Sequence, residues 1–194
     1  MEAAGYGQYL EPFVAAGVVS SAECAAAEVK SSSSTETAVL AGGCFWGVDE
    51  LFRKMDGVVD TTAGYTGGAL DDPTYNDVKT GSTGHAEAVE IVFDPSRVSY
   101  EEILGYFFRL HDPTQLNRQM NDRGTQYRSA IFFHSDSQRE IAERVREDVD
   151  KSGKWDEPVV TEVVEATTFY RGEDYHQDYL QRNPYGYNCH FVRD

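Results

Sequence analysis

Cysteine is scarce in this 194-residue chain. There are three, Cys24, Cys44 and Cys189, with no CxxC pair and no zinc-ligand spacing. So odd and sparse a set argues against a disulfide-stapled scaffold and fits a reducing compartment, where a disulfide is transient and catalytic. Basic residues are also few: 17 Lys and Arg face 33 Asp and Glu, for a formal net charge of -16. A surface of that sign repels phosphate backbones and anionic lipid, which argues against nucleic-acid and membrane-surface roles. No apolar run approaches the roughly 18 residues needed to cross a bilayer. Residues 1–36 hold a single basic residue, Lys30, against both a secretory signal, with its positive start, and an arginine-rich transit peptide. A cytoplasmic location and a monomeric state are the expectations.

Hydrophobic residues make up 40% of the chain and aromatics 12%, enough for the core of one domain with an appendage. A helix is expected near Ser21–Lys30, followed by the linker-like run "SSSST". This divides the chain into an N-terminal extension of unassigned role, residues 1–36, and a compact domain, residues 37–194. Within the domain, residues 38–42 read as a buried strand and residues 44–55 as a helix with Phe45, Val48, Leu51, Phe52 and Met55 on one face. "VVDTTAGY" and "AEAVEIVFD" read as strands. Ser99 and Glu102 form a capping box before a helix carrying Ile103, Leu104, Phe107 and Phe108. "YRSAIFFHS" is a strand, Ser135 and Gln138 cap a charged helix, and "PVVTEVVEA" is a fifth strand. The order β-α-β-β-α-β-α-β predicts an α/β (α+β) fold: a ferredoxin-like sandwich core with a mixed sheet, helices on one side and an irregular C-terminal coil.

One stretch within this pattern points to chemistry. In "AVLAGGCFWGVDELF", residues 38–52, a strand ends in two glycines and a helix opens on Cys44. A sulfur in a first helical turn meets free backbone N–H groups and the positive end of the helix dipole, both of which favour a thiolate. On position alone, a small buried core cysteine explains Cys44 equally well, and Phe45 and Trp46 are either core or the walls of an apolar pocket. A phosphatase loop would need an arginine where Glu50 stands, and a thioredoxin-like centre a cysteine where Gly47 stands. A thiol hydrolase would need a histidine; His85, His111, His134, His176 and His190 are available, and nothing in the sequence pairs one with Cys44. Two further segments gather polar groups at strand entries: "GSTGHAEAVEI" with His85 and Glu87, and "NDRGTQYRSA" with Asp122, Gln126 and Tyr127. A carboxyl set beside aromatics is one way to keep an acid protonated near neutral pH.

The blocks "GCFWG", "GYTGG", "PTYNDV", "TGHAEAVEI", "HDPTQ", "NDRGTQYRS" and "YHQDYL", in that order between residues 38 and 193, resemble the A-type methionine sulfoxide reductases, the peptide-methionine (S)-S-oxide reductases. The resemblance implies that Cys44 is the nucleophile and that Phe45 and Trp46 hold the substrate methyl group. It implies that Glu87 protonates the sulfoxide oxygen, with Tyr75 and Tyr127 as further donors and Asp122 ordering the site. Cys189, 145 positions (189 − 44) after Cys44 in a coil-like tail, becomes the thiol that resolves the Cys44 sulfenic acid to a disulfide. Thioredoxin is then the expected reductant, free or protein-bound methionine sulfoxide the substrate, and neither cofactor nor metal is expected. Cys24 lies outside the matching blocks.

Overall fold

The structure, a computed structural model, describes residues 34–194. Cys24 and the helix expected near Ser21–Lys30 lie outside the described residues. Strand β1 (Glu36–Gly42) is followed by helix α1 (Phe45–Arg53) and strand β2 (Val58–Thr66). A short helix α2 (Tyr75–Val78) precedes β3 (Ala86–Phe93) and α3 (Tyr100–Leu110). The two-residue strands β4 (Arg118–Gln119) and β5 (Asp122–Arg123) pair with each other, and a 3-10 turn at Thr125–Tyr127 leads into β6 (Ser129–Phe133). Helix α4 (Asp136–Lys151), β7 (Glu162–Glu165), β8 (Tyr170–Arg171) and α5 (Tyr179–Arg182) complete the chain.

Six strands form one mixed sheet in the order β7-β6-β1-β3-β2-β8. Its four inner strands run antiparallel to one another and follow the ferredoxin-like βαββαβ path. Strand β7 adds parallel to β6 after the α4 crossover, and β8 adds antiparallel to β2, so the sheet is mixed as expected. β1 lies between β3 and β6 and is buried on both faces, which is why "AVLAG" reads as a continuous apolar run rather than an alternating one.

The alternation of β3 separates the two faces. Val89 and Ile91 point into the main core with Leu40, Phe52, Leu104 and Phe107, under the helices. Ala86 and Ala88 point the other way, into a thinner layer with Ala41, Ala130 and Phe132 that Phe169 covers. Helices thus pack one face and the C-terminal chain covers the other. Glu87 has the parity of Val89 and Ile91 and sits opposite Tyr65 of β2, so its carboxyl enters the helix-covered side.

Local signals set the helix ends. Both reciprocal bonds of the Ser99–Glu102 capping box are present, as they are for Thr74 and Asp77 before α2. Ser135 caps α4 by accepting the Gln138 N–H, while the Gln138 side chain accepts from His134 N–H and donates to the Thr37 carbonyl. Helix α1 stops at Arg53, earlier than the apolar period suggests, and Gly57 at φ 91° turns the chain into β2. The last long strand is limited to residues 162–165 because only that stretch pairs with β6.

Candidate functional site

Cys44 is the N-cap residue of α1, reached from β1 through Gly43, whose φ of 105° turns the chain at the strand end. The carboxyl of Glu87 lies beneath this turn, 2% exposed, and its Oε2 accepts the Phe45 N–H at 3.2 Å. Around it, Tyr75 opens α2, Tyr127 closes the 3-10 turn and Asp122 belongs to β5. Every residue given a role by the resemblance, except Cys189, lines one cavity of about 100 Å³, together with Tyr187; His85 and Gln126 do not. That volume accommodates a small terminal group rather than a whole side chain with its backbone. A larger depression of about 600 Å³ lies between the starts of β1 and α4 and contains no thiol.

Cys189 stands beside two of the residues that line this cavity: its sulfur lies 3.5 Å from Asp122 Oδ2 and is close enough to Cys44 for each to influence the other's titration. Both described cysteines are free thiols. Tyr187, two residues earlier, donates its hydroxyl to the same Asp122 oxygen at 3.0 Å.

The electrostatics are those of an acid and a thiol that both hold their protons at rest. Burial pushes the Glu87 carboxyl up to about 8, against the bond from Phe45 N–H that favours its charged form. Burial also raises the Cys44 thiol well above its usual value, and Glu87 raises it further. The Trp46 backbone N–H near the Cys44 sulfur acts the other way and is outweighed. The thiolate expected from the helix start is therefore not the resting form: the helix N–H is aimed as anticipated, but no cation stands by and burial dominates. The Tyr75 and Tyr127 hydroxyls are also shifted up by burial and by Glu87, so both remain hydrogen-bond donors.

A supporting layer holds the walls. The Trp46 indole N–H donates to His176 Nδ1 at 3.1 Å, and its ring stacks on Tyr179 with centroids 3.7 Å apart. Glu173 accepts the Tyr75 backbone N–H and the Tyr65 hydroxyl, each at 2.8 Å, which fixes the start of α2 against β2. Tyr187, His190, Glu173 and His176 escaped sequence reasoning as site-building residues. His176 lies in "YHQDYL", and Tyr187 and His190 flank Cys189 in the tail; Glu173, two positions before "YHQDYL", carried no signal. His85, whose Nδ1 accepts the Gly68 N–H and whose Nε2–H reaches the Leu70 carbonyl, ties down a loop. His111 is a core residue whose Nδ1–H donates to Phe107 O.

Gly47 makes room for the tail. A Cβ at this position would stand 2.5 Å from His190 Nδ1 and 2.6 Å from Asn188 Oδ1. Gly47→Ala is expected to lower unfolding free energy by about 1–3 kcal/mol, the usual cost of overpacking. A denaturant titration checks this; unchanged stability would mean that the tail sits loosely on α1.

Among the described residues, no helix is long and apolar enough to cross a membrane and no cluster of three or more His, Cys, Asp or Glu is placed to hold a metal ion. Residues 36–194 match the family model described as peptide methionine sulfoxide reductase. Peptide methionine sulfoxide reductase MsrA of Nocardia farcinica is 55% identical over 159 residues, covering 82% of this chain and 91% of its own length. Among solved structures, Mxr1 from Saccharomyces cerevisiae in reduced form superposes with a TM-score of 0.78 at 36% identity, over 82% of this chain and 93% of that one. Mxr1 in complex with Trx2 superposes with a TM-score of 0.57 at 25% identity, over 82% and 91% of the two chains.

Proposed function

Because this chain belongs to the peptide methionine sulfoxide reductase family and is an MsrA-type oxidoreductase, we propose that it reduces methionine S-sulfoxide, free or in proteins, by attack of Cys44 with proton donation from Glu87. The activity is assigned to residues 37–194, with residues 1–36 an appendage.

The observation that carries this reading is the buried carboxyl of Glu87, kept protonated to a pH of about 8, in the same small cavity as the Cys44 sulfur. A sulfoxide has an electrophilic sulfur and a basic oxygen. Its reduction needs an electron pair for the one and protons for the other. The substrate methyl group lies against Phe45 and Trp46, which points the oxygen toward Glu87, Tyr75 and Tyr127. The Cys44 sulfur then attacks the substrate sulfur while Glu87 gives its proton to the oxygen. Oxygen passes to Cys44, methionine leaves, and Cys44 is left as a sulfenic acid. Cys189 attacks that sulfur, water leaves and a Cys44–Cys189 disulfide forms. The yeast relative held with Trx2 supports thioredoxin as the dithiol that reopens it. All electrons come from thiols, so the cycle needs no further cofactor.

The test uses two enantiopure peptides, bearing methionine S-sulfoxide or R-sulfoxide, with dithiothreitol or thioredoxin as reductant. Turnover of the S epimer alone supports the reading; turnover of the R epimer or of neither overturns it.

Trp46 separates this chemistry from a peroxidase that would use the same two cysteines. Trp46→Ala removes the wall that His176 and Tyr179 hold in place. It is expected to lower kcat/KM for the sulfoxide about 10–200-fold, the range for losing recognition of one methyl-sized group. Reaction of Cys44 with hydrogen peroxide should change little. Equal losses on both substrates would count against a methyl-binding wall.

A further inference from the structure

We propose that His190 is the proton acceptor for Cys189 in the disulfide-forming step, taking the thiol proton on Nδ1 as the Cys189 sulfur attacks oxidised Cys44. The proposal rests on the reading of Cys189 as the resolving thiol.

The tautomer follows from a contact that only one arrangement satisfies. His190 is 4% exposed, and its Nε2 lies 2.8 Å from the carbonyl oxygen of Gly42. A carbonyl only accepts, so Nε2 carries the hydrogen and Nδ1 keeps a free lone pair. That lone pair faces the Cys189 sulfur at 3.3 Å, within reach of an S–H donor. The ring has little freedom to turn away. Its backbone N–H is held by Asn188 Oδ1 at 2.9 Å, and it lies in the space left by two glycines that flank the reactive cysteine. A Cβ on Gly47 would meet Nδ1 at 2.5 Å, and one on Gly43 would lie 3.3 Å from Nε2.

Cys189 needs such a partner. Burial and the charge of Asp122 push its thiol up to about 12, so a free thiolate is scarce at neutral pH. Burial lowers the His190 imidazole to about 4, which leaves it neutral and able to accept. Arg193 opposes a positive charge on this ring, Asp122 favours one, and His111 lies close enough to interact with it. At the sulfur, the neighbouring groups are Asp122, Tyr187 and the Cys44 N–H. Asp122 Oδ2 is a poorer acceptor for this proton, because it stands farther off at 3.5 Å and already takes the Tyr187 hydroxyl.

The step balances without any added reagent. The Cys189 sulfur supplies the electron pair of the new S–S bond, and the S–O bond of the Cys44 sulfenic acid breaks with its pair going to oxygen. The thiol proton moves to His190 Nδ1 and then to the departing hydroxide, which leaves as water. Cys189 is oxidised, the Cys44 sulfur is reduced and His190 returns to its neutral form.

The experiment is a rapid-quench single turnover of the full chain with the S-sulfoxide peptide and no reductant, counting methionine and free thiols in parallel from about pH 6 to about pH 9. Forming the sulfenic acid already consumes the Cys44 thiol, so the readout is loss of the second thiol, which in the native protein should be nearly flat with pH. His190→Gln can still donate to the Gly42 carbonyl but offers no basic nitrogen to take the thiol proton. Methionine release, with loss of the Cys44 thiol, should then run ahead of loss of the second thiol. The disulfide step should be at least about tenfold slower and gain about tenfold per pH unit, as only preformed thiolate reacts. A His190→Gln protein whose thiol loss matches the native rate and pH profile overturns the proposal. If that variant does not fold, the native profile decides: a rise of about tenfold per pH unit overturns it, and a flat profile supports it. Cys189→Ser tests the underlying reading separately, because a disulfide closing at the native rate in that variant removes Cys189 as the resolving thiol.

Discussion

Cys44→Ser is expected to abolish sulfoxide turnover, with a loss of at least about 10⁴-fold in kcat, the scale seen when a covalent nucleophile is removed. An alcohol neither attacks sulfoxide sulfur at a useful rate nor carries the abstracted oxygen as a sulfenic acid does. The substitution is nearly isosteric at a position only 8% exposed, next to the Trp46 backbone N–H, which a serine oxygen can accept. The fold should therefore survive, and circular dichroism together with a methionine-release assay separates lost chemistry from lost structure. Residual turnover above about 1% of the native rate would place the nucleophile elsewhere.

Glu87→Gln should cost about 10²–10⁴-fold in turnover, the usual worth of a positioned general acid. The glutamine fits the same space but has no transferable proton. The pH dependence gives the sharper result. A carboxyl held at about 8 is protonated below that value, so native activity should be sustained up to pH near 8 and fall about tenfold per unit above it. In the glutamine variant that descending limb should vanish. Stability should move in the opposite direction. Unfolded, the carboxyl ionises near its ordinary value of 4.5; folded, it resists until about 8. The contribution is fully present below the lower value and is lost as pH rises through the upper one, at up to about 1.4 kcal/mol per unit across that window. Glu87→Gln should thus be less active and, above pH near 8, more stable than the native chain. Thermal melts across this range check the sign, and a glutamine variant that melts lower at every pH would mean that the buried carboxyl is not held neutral.

The parts of the molecule that were legible in the sequence are those where one periodicity runs long enough. The apolar spacing of Phe45, Val48 and Phe52, the alternation around Glu90 and the Ser99–Glu102 cap located α1, β3 and α3 within a residue or two. From these and their neighbours the ferredoxin-like path followed. Helix α2, the β4–β5 pair and β8 have two to four residues each and no period of their own. They exist because of distant partners, such as Glu173 accepting the Tyr75 N–H across 98 positions.

The site divides in the same way. Glycine, cysteine and aromatics at a strand-to-helix turn marked Cys44, but its role and that of Glu87 came from the resemblance, since spacing alone left an inert cysteine open. Burial is what the sequence conceals. Nothing local to "GGCFWG" states that a carboxyl from β3 lies under the turn, and that proximity, with desolvation, decides the protonation of both groups.

Tyr187 and Cys189 are separated by one residue, and both lean on Asp122. Tyr187 lines the cavity and Cys189 lies close to Cys44, so the two cannot be repositioned independently. On the proposed cycle, a bond between Cys189 and Cys44 would drag the wall supplied by Tyr187 with it. The oxidised form in that cycle would lose the shape that admits a sulfoxide until an outside dithiol frees the tail. Substrate and reductant would then take turns, a second sulfoxide binding productively only after the first turnover has been cleared.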